Sequence, residues 1–193
     1  MPWEKQFDSD DALMRAMEAF WARGYEATSM QDLVSCMRIN RGSLYATFGD
    51  KRTLFLAALR RYDARHREDW LSALRQTSGP KAAILTAFDD AVAAALGRKG
   101  RRGCFLVNTA LELSPHDKQV AAIVADGFTE TEAFFRKTIE AGQAAREIPK
   151  RIDPSETASA LLGLFIGLRV LARSRPEAPL LRSIAGQAAA LLE

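Results

Sequence analysis

Two apolar faces, each only about two helical turns long, follow one another across a three-residue gap between Met30 and Phe48. Met30, Leu33, Val34 and Met37 form the first; Leu44, Tyr45 and Phe48 form the second. The three- and four-residue spacing puts each set on one side of a helix. Helices this short are marginal in water, so both must be held by longer neighbours. Leu13, Ala16, Met17, Phe20 and Trp21 repeat with a helical period from about Asp10, and Gly24 closes that helix. Thr28 and Gln31 make a capping-box pattern for the second helix, Asn40 is an N-cap for the third, and Gly49 ends it. Asp50 then caps a long fourth helix through Leu54, Phe55, Ala58, Leu59 and Tyr62, expected to reach about Gln76. Short helix, tight turn and short helix among longer ones is the helix-turn-helix plan.

The remainder predicts further helices. Gly79-Pro80 opens one through Ile84, Leu85, Phe88, Val92 and Leu96, and GRKGRRG (97–103) is a basic turn. CFLVNTALEL starts another helix, and Ser114-Pro115 is expected to begin one running to about Ala145. Asp153, Pro154 and Glu156 supply an N-cap, an N1 proline and an N3 acid for an apolar helix ending near Arg173. Pro176 and Pro179 bracket a linker to a last helix, Leu180 to Leu192. Alanine and leucine dominate this half and strand formers are thinly scattered, so the fold class is all-α. The expected division is a three-helix helix-turn-helix domain at residues 1–50, joined by the long fourth helix to a helical C-terminal domain at residues 51–193.

Composition narrows the function. The chain of 193 residues is 48% hydrophobic and 26% charged, which suits a buried core and shows no bias to disorder. Cys36 and Cys104 stand far apart without secretory context, which suggests a reduced, cytoplasmic protein. The opening MPWEKQFDSDD is acidic and lacks the apolar stretch of a signal peptide. The longest apolar run, Ala160 to Leu168, is cut by Arg169 at about half of the roughly 20 residues a membrane span needs. It reads as buried helix, and no membrane partner is expected. His66 and His116 are isolated, and no His, Cys and carboxylate set has metal-ligand spacing. No Ser-His-Asp arrangement or glycine-rich phosphate loop is recognisable, so neither metal, cofactor nor enzymatic activity is expected.

The charge distribution points to nucleic acid. Between Arg38 and Arg52, four cations (Arg38, Arg41, Lys51, Arg52) face one carboxylate, Asp50, whereas the first 37 residues are net acidic. The third helix has an apolar back, Leu44 and Phe48, and a small or basic front: Arg41, Gly42, Ser43, Ala46 and Thr47. Arginine can donate two hydrogen bonds to guanine, Ser43 and Thr47 can reach base edges or phosphates, and Gly42 allows close approach. The Tyr45 hydroxyl and Lys51, at a helix N-terminus, suit phosphates. An ordinary solvated loop with incidental arginines explains the charges alone equally well.

The segment TSMQDLVSCMRINRGSLYATFGDKRTLF (28–55) resembles the DNA-binding signature of the TetR family of transcriptional regulators. That family carries a Thr capping the second helix, a Gly-x-Leu-Tyr-x-x-Phe recognition helix and a Lys opening the fourth. Here these are Thr28, then Gly42, Leu44, Tyr45 and Phe48, then Lys51. The resemblance is close over Leu13 to Leu59 and beyond Tyr62 is mainly one of architecture. It implies a homodimeric repressor on double-stranded operator DNA, released by a small-molecule inducer, with Thr28, Arg38, Asn40, Arg41, Gly42, Ser43, Tyr45, Thr47 and Lys51 as the DNA-binding set. The family usually has glycine where Arg38 stands. A left-handed backbone there would cost a non-glycine residue about 1 kcal/mol, while the added charge could contact phosphate.

For the dimer, Gly163, Leu164, Gly167 and Leu168 of the apolar helix and Leu181, Ile184 and Ala188 of the last helix are the candidates, Gly163 and Gly167 letting another helix approach closely. On residues alone both helices equally complete a monomer core; the resemblance implies a four-helix bundle between subunits. It also implies an apolar ligand pocket, for which Trp70, Phe88, Cys104, Phe105, Asn108, Phe128 and Phe135 are the candidates. Taken singly, each aromatic is an ordinary core residue. Cys104 follows Lys99, Arg101 and Arg102 at the start of a helix, surroundings that favour thiolate. GCFLVNTALEL is similar to a TetR subgroup in which a cysteine after this glycine senses electrophiles or oxidants. A cysteine that only packs is the alternative. The competing class is a helical carrier of apolar ligands, which would not need the recognition-helix pattern, and the residues do not separate a repressor from an activator.

Overall fold

The computed structural model describes residues 7–77, 79–98 and 100–193, and the side chain of His66 lies outside that description. Residues 1–6 and Lys99, which entered the sequence argument, are outside it too. Among the described residues there is no strand. Helix α1 (Ser9–Arg23) is capped by the Asp8 carboxylate, which accepts from the backbone N–H groups of Asp10 and Asp11. It is closed by Gly24, at φ 89°, a left-handed value that glycine adopts without strain.

Helix α2 (Met30–Met37) begins one residue later than expected. Its capping box is Ser29 with Asp32, not Thr28 with Gln31. Thr28 is fully buried, and its hydroxyl donates to the Gly24 carbonyl at 2.6 Å, which fixes the turn before the helix. Helix α2 ends at Arg38, with φ 58° and ψ 40°. Helix α3 (Arg41–Phe48) is capped by Asn40, whose side-chain oxygen accepts from Ser43 N at 2.7 Å. Helix α4 (Lys51–Tyr62) is capped by Asp50.

The expected long fourth helix is interrupted. After α4 a π-helical turn spans Asp63–Arg67 before regular geometry resumes in α5 (Glu68–Leu74). A π turn widens the helix by one residue and is frequent at functional sites. Helix α6 (Pro80–Leu96) leads into a 3-10 turn, Gly100–Arg102, and then α7 (Phe105–Glu112). Helix α8 (Lys118–Ala144) starts later than Ser114-Pro115 because Asp117 caps it, accepting from Gln119 N and Val120 N. Helices α9 (Pro154–Ser174) and α10 (Ala178–Ala190) complete the chain; Asp153 caps α9 as the Asp-Pro pattern predicts.

Two cores result. The first joins α1–α4 through Ala16, Phe20, Leu33, Leu44, Leu54, Phe55 and Leu59, and it takes in Phe105, Leu106, Val120 and Val124 from α7 and α8. The second joins α5, α6, α9, α10 and the C-terminal half of α8 around Phe88, Phe135, Leu161 and Leu168. Helices α7 and α8 therefore weld the N-terminal module onto the rest. Glycine permits that contact: a Cβ at Gly127 of α8 would lie 2.5 Å from Leu106 Cδ2 and 3.1 Å from Asp63 Oδ1. By length and composition α9 could cross a membrane. Here Ala158, Leu161, Phe165, Leu168 and Ala172 along one side of it are buried in the second core.

Candidate DNA-binding face and ligand cavity

Helix α3 turns Leu44 completely inward, and Phe48 packs partly buried beside it. Arg41, Gly42, Tyr45 and Ala46 are exposed on the opposite side, with Ser43 and Thr47 half-buried. Tyr45, counted on the inner face from periodicity, is 44% exposed, and the Arg41 guanidinium lies 5.8 Å from its ring centroid. Gly42 has a local role besides close approach: a Cβ there would come within 3.3 Å of the Asn40 oxygen that caps the helix. Asn40 is thus committed through its oxygen to holding α3. Arg38 is exposed in its left-handed turn, beside α3.

Three basic or polar positions carry different weights than the sequence assigned them. Thr28, buried and bonded to Gly24, offers nothing to a ligand, a correction that follows from the shifted capping box. Lys51 sits at the N-terminus of α4 with its ammonium 4.3 Å from the Tyr25 ring centroid, a cation-π contact that orients it. Arg52 is exposed but ion-paired. It donates to Asp117 through Nε at 2.7 Å and NH2 at 3.0 Å, and to Gln119 Oε1 at 3.1 Å, tying the start of α4 to the cap of α8. That hydrogen bond, with those from the backbone of Val120 and Gln119, holds the Asp117 carboxyl down to about 2.

At the far end of α4 lies a mostly apolar cavity of about 330 Å³. Its wall is drawn from α1 (Trp21), the α4–π junction (Tyr62, Asp63, Arg67), α5 (Trp70), α8 (Phe128, Thr131) and α9 (Phe165, Arg169), with Cys104 at the head of α7. Of the residues expected to line it, Trp70, Cys104 and Phe128 do. Phe88 and Phe135 instead stack on each other in the second core, ring centroids 6.1 Å apart. Phe105 turns into the first core, edge-on to Phe55. Asn108 is a structural residue: its Nδ2 donates to the Arg102 carbonyl at 2.8 Å and holds the basic turn. Helical periodicity shows which side of a helix is apolar but not which of two cores or cavities that side meets, so Tyr62, Phe165 and Arg169 were missed.

Cys104 is the N-cap of α7, and the Tyr62 hydroxyl donates to its Sγ at 3.5 Å. Burial first, then the neighbouring Cys104, push Tyr62 well above the ordinary tyrosine range, so it stays a neutral donor. Arg102, one of the cations expected to influence Cys104, is paired with Glu18 and lies against Trp21. Cys36 is half-buried, and burial raises its thiol above the usual value. No group of three or more His, Cys, Asp or Glu converges to hold a metal among the described residues.

On the outside, α9 and α10 form a shallow apolar groove lined by Ala160, Gly163, Leu164, Gly167, Leu171, Ile184 and Leu191. Nothing lies within 4 Å of a Cβ built on Gly163 or Gly167. Leu168, Leu181 and Ala188, grouped with this face in the sequence reading, are fully buried in their own subunit, as is Leu161. They turn into the subunit's own core beside the groove and leave no exposed surface for a partner.

The comparisons with known proteins agree with this architecture. Residues 12–58 match the model of bacterial regulatory proteins of the tetR family, and residues 80–184 match the tetracyclin repressor-like C-terminal domain. The HTH-type transcriptional repressor ComR of Escherichia coli is 33% identical over 183 residues, 94% of this chain and 87% of that protein. An uncharacterised HTH-type regulator of Bacillus subtilis, YezE, is 39% identical over 117 residues, 61% of this chain and 60% of its own length. Among solved structures, a cysteine mutant of the regulator CifR, complexed with 26-base-pair double-strand operator DNA, superposes with a TM-score of 0.85 at 31% identity. That match covers 96% of this chain and 97% of the other. With both family domains matched and a relative aligned over nearly its whole length, the chain belongs to the TetR family of DNA-binding transcriptional regulators.

Proposed function

We propose that the protein is a cytoplasmic repressor that binds a palindromic operator as a homodimer and is released when its cavity is filled by a small, largely apolar molecule or when Cys104 is covalently modified. The observation that carries this reading is the position of the cavity at the end of α4. That helix begins at Lys51, beside the recognition helix, and ends at Tyr62 on the cavity wall. A helix of this length is a rigid rod of about 18 Å, so displacement of Tyr62 moves the N-terminal module as a body. The Arg52–Asp117 clasp makes α8 a second lever on the same module. Half-sites on B-DNA repeat every ~34–36 Å, so a shift of a few ångströms in recognition-helix separation breaks simultaneous docking.

Arg41, Ser43 and Thr47 on the exposed side of α3 are the proposed base-reading residues, with Gly42 for close approach and Arg38, Tyr45 and Lys51 on phosphates. The proposed dimer contact is the α9–α10 groove, through Gly163, Leu164, Gly167 and Ile184. Addition of the Cys104 thiol to an α,β-unsaturated carbonyl would form an Sγ–carbon bond as the alkene π bond breaks, with the thiol proton ending on the α-carbon, and place new volume against Tyr62. The repressor assignment draws support from the ComR relative, and the operator from the CifR complex.

The deciding experiment is selection of bound duplexes from a random DNA pool by the purified protein at physiological salt. Enrichment of one inverted repeat is the expected result. No enrichment, with binding lost at modest salt, overturns the operator-binding proposal. On the selected operator, Cys104→Ser should abolish electrophile-induced release; unchanged release sinks the cysteine arm alone.

A further inference from the structure

The cavity wall leaves hydrogen-bonding capacity of one sign unused. From this we infer that its ligand is a small amphipathic monoanion, a carboxylate on a single flat apolar group, with Arg169 as counterion. The inference rests on the reading of this cavity as the effector site. Asp63, the one carboxylate on the wall among the described residues, is held by Arg67 through two hydrogen bonds of 2.7 and 3.0 Å. Arg67 is further paired with Glu130, whose own side chain is 59% exposed, so its charge is screened by water. The Tyr62 hydroxyl is spent on Cys104, and the Thr131 hydroxyl donates to the Gly127 carbonyl at 2.9 Å.

Two donors remain. Arg169 makes no ion pair or hydrogen bond through its guanidinium among the described residues, and its Nε is buried without an acceptor. Trp70 Nε1 is likewise buried without an acceptor. Both flank the same ring: Trp70 stacks on Phe165 with centroids 5.3 Å apart and planes at 22°, and the Arg169 guanidinium lies 4.9 Å from the Phe165 centroid. Arg169 is half-buried, its Nε lacks an acceptor and its charge rests on the face of the Phe165 ring, so an anion in the cavity meets a cation that no carboxylate neutralises among the described residues. Bidentate carboxylate recognition is what its planar fork does best. An ammonium ligand would add a second positive charge, and a neutral one would leave the first unpaired. The aromatic platform supplies the apolar half of the site. At about 330 Å³ the cavity is at the small end of the roughly 300–1,000 Å³ of ligand sites, which suits one ring rather than a fused system.

The test is titration of the full-length protein with phenylacetate, phenylacetamide and 2-phenylethylamine, three probes of similar shape that differ in charge, read by tryptophan fluorescence and calorimetry. Phenylacetate is expected to bind about tenfold or more tightly than either analogue, the scale of a charge-assisted pair. Arg169→Gln should reduce it to the affinity of the amide, and Arg169→Lys should recover part of the difference, with thermal unfolding checked for each variant. If the amide or amine binds wild-type protein as tightly as the acid, the anion assignment is overturned while the effector site stands. If none of the three binds at millimolar concentration, both the assignment and the effector-site reading fall. The wild-type comparison decides even if a variant does not fold.

Discussion

Arg38→Gly separates backbone strain from DNA contact at one position. Arg38 closes α2 with φ 58° and ψ 40°, a left-handed conformation that costs a residue with a Cβ about 1–2 kcal/mol. Glycine removes that cost but enlarges the conformational freedom of the unfolded chain, which offsets about 0.4–1 kcal/mol. The exposed Arg38 side chain makes no ion pair among the described residues, so little native contact is lost. The net is a stabilisation of about 0.8 kcal/mol, or about 2 °C in Tm for a chain of this size. Thermal unfolding would be followed at fixed protein concentration, because dimerisation couples stability to it. The same variant should bind operator more weakly. If each subunit loses one phosphate contact, the slope of log affinity against log salt falls by about 1.8 per dimer. A lowered Tm would refute the strain argument, and an unchanged salt slope would remove Arg38 from the phosphate contacts.

Thr28→Val should cost about 1 kcal/mol by stranding the Gly24 carbonyl, while leaving the salt slope of operator binding as it is; a reduced slope would restore Thr28 to the DNA face. Gly100→Ala should destabilise by about 3 kcal/mol or more, read in thermal unfolding, because its Cβ would fall 1.7 Å from the Ala95 carbonyl oxygen, backbone that cannot swing aside. Gly167→Arg places a long cation in open space on the α9–α10 groove; sedimentation should then find a folded monomer, and a retained dimer would move the interface elsewhere. Asp32 and Asp117 are both held down to about 2, the first chiefly by the Ser29 hydroxyl and the second by Arg52. Their folded values lie below the roughly 3.9 of an unfolded aspartate, so the stability they contribute is present above about pH 4 and is lost as pH falls towards 2. A plot of Tm against pH should therefore have a shallower acid limb in Asp117→Asn, and an unaltered limb would contradict the clasp.

Helical order, most helix ends and the recognition module were legible from the residues alone. Those properties depend on residues close in the chain: Asn40 bonds Ser43, Asp50 bonds Thr53, Asp153 bonds Ser155 and Glu156, and the apolar positions of α3 repeat within two turns. Where two candidates competed within such a window, as Thr28 and Ser29 did for the cap of α2, local pattern was not enough. The winner was set by the contact of Thr28 with the Gly24 carbonyl in the preceding turn. Whether an apolar residue faces a core, a cavity or the outside depends instead on the packing of the whole fold. Phe88 and Phe165 look alike as helix-face aromatics, yet Phe88 fills the second core while Phe165 also borders the cavity. Leu168 and Gly167 are neighbours in sequence, but one is sealed in its subunit and the other stands on the open groove. Arg52 read as a DNA-facing cation until α8 brought Asp117 to it across 65 residues. Periodicity gives each helix an inner side, but the partner that side meets is fixed by how helices distant in sequence pack together.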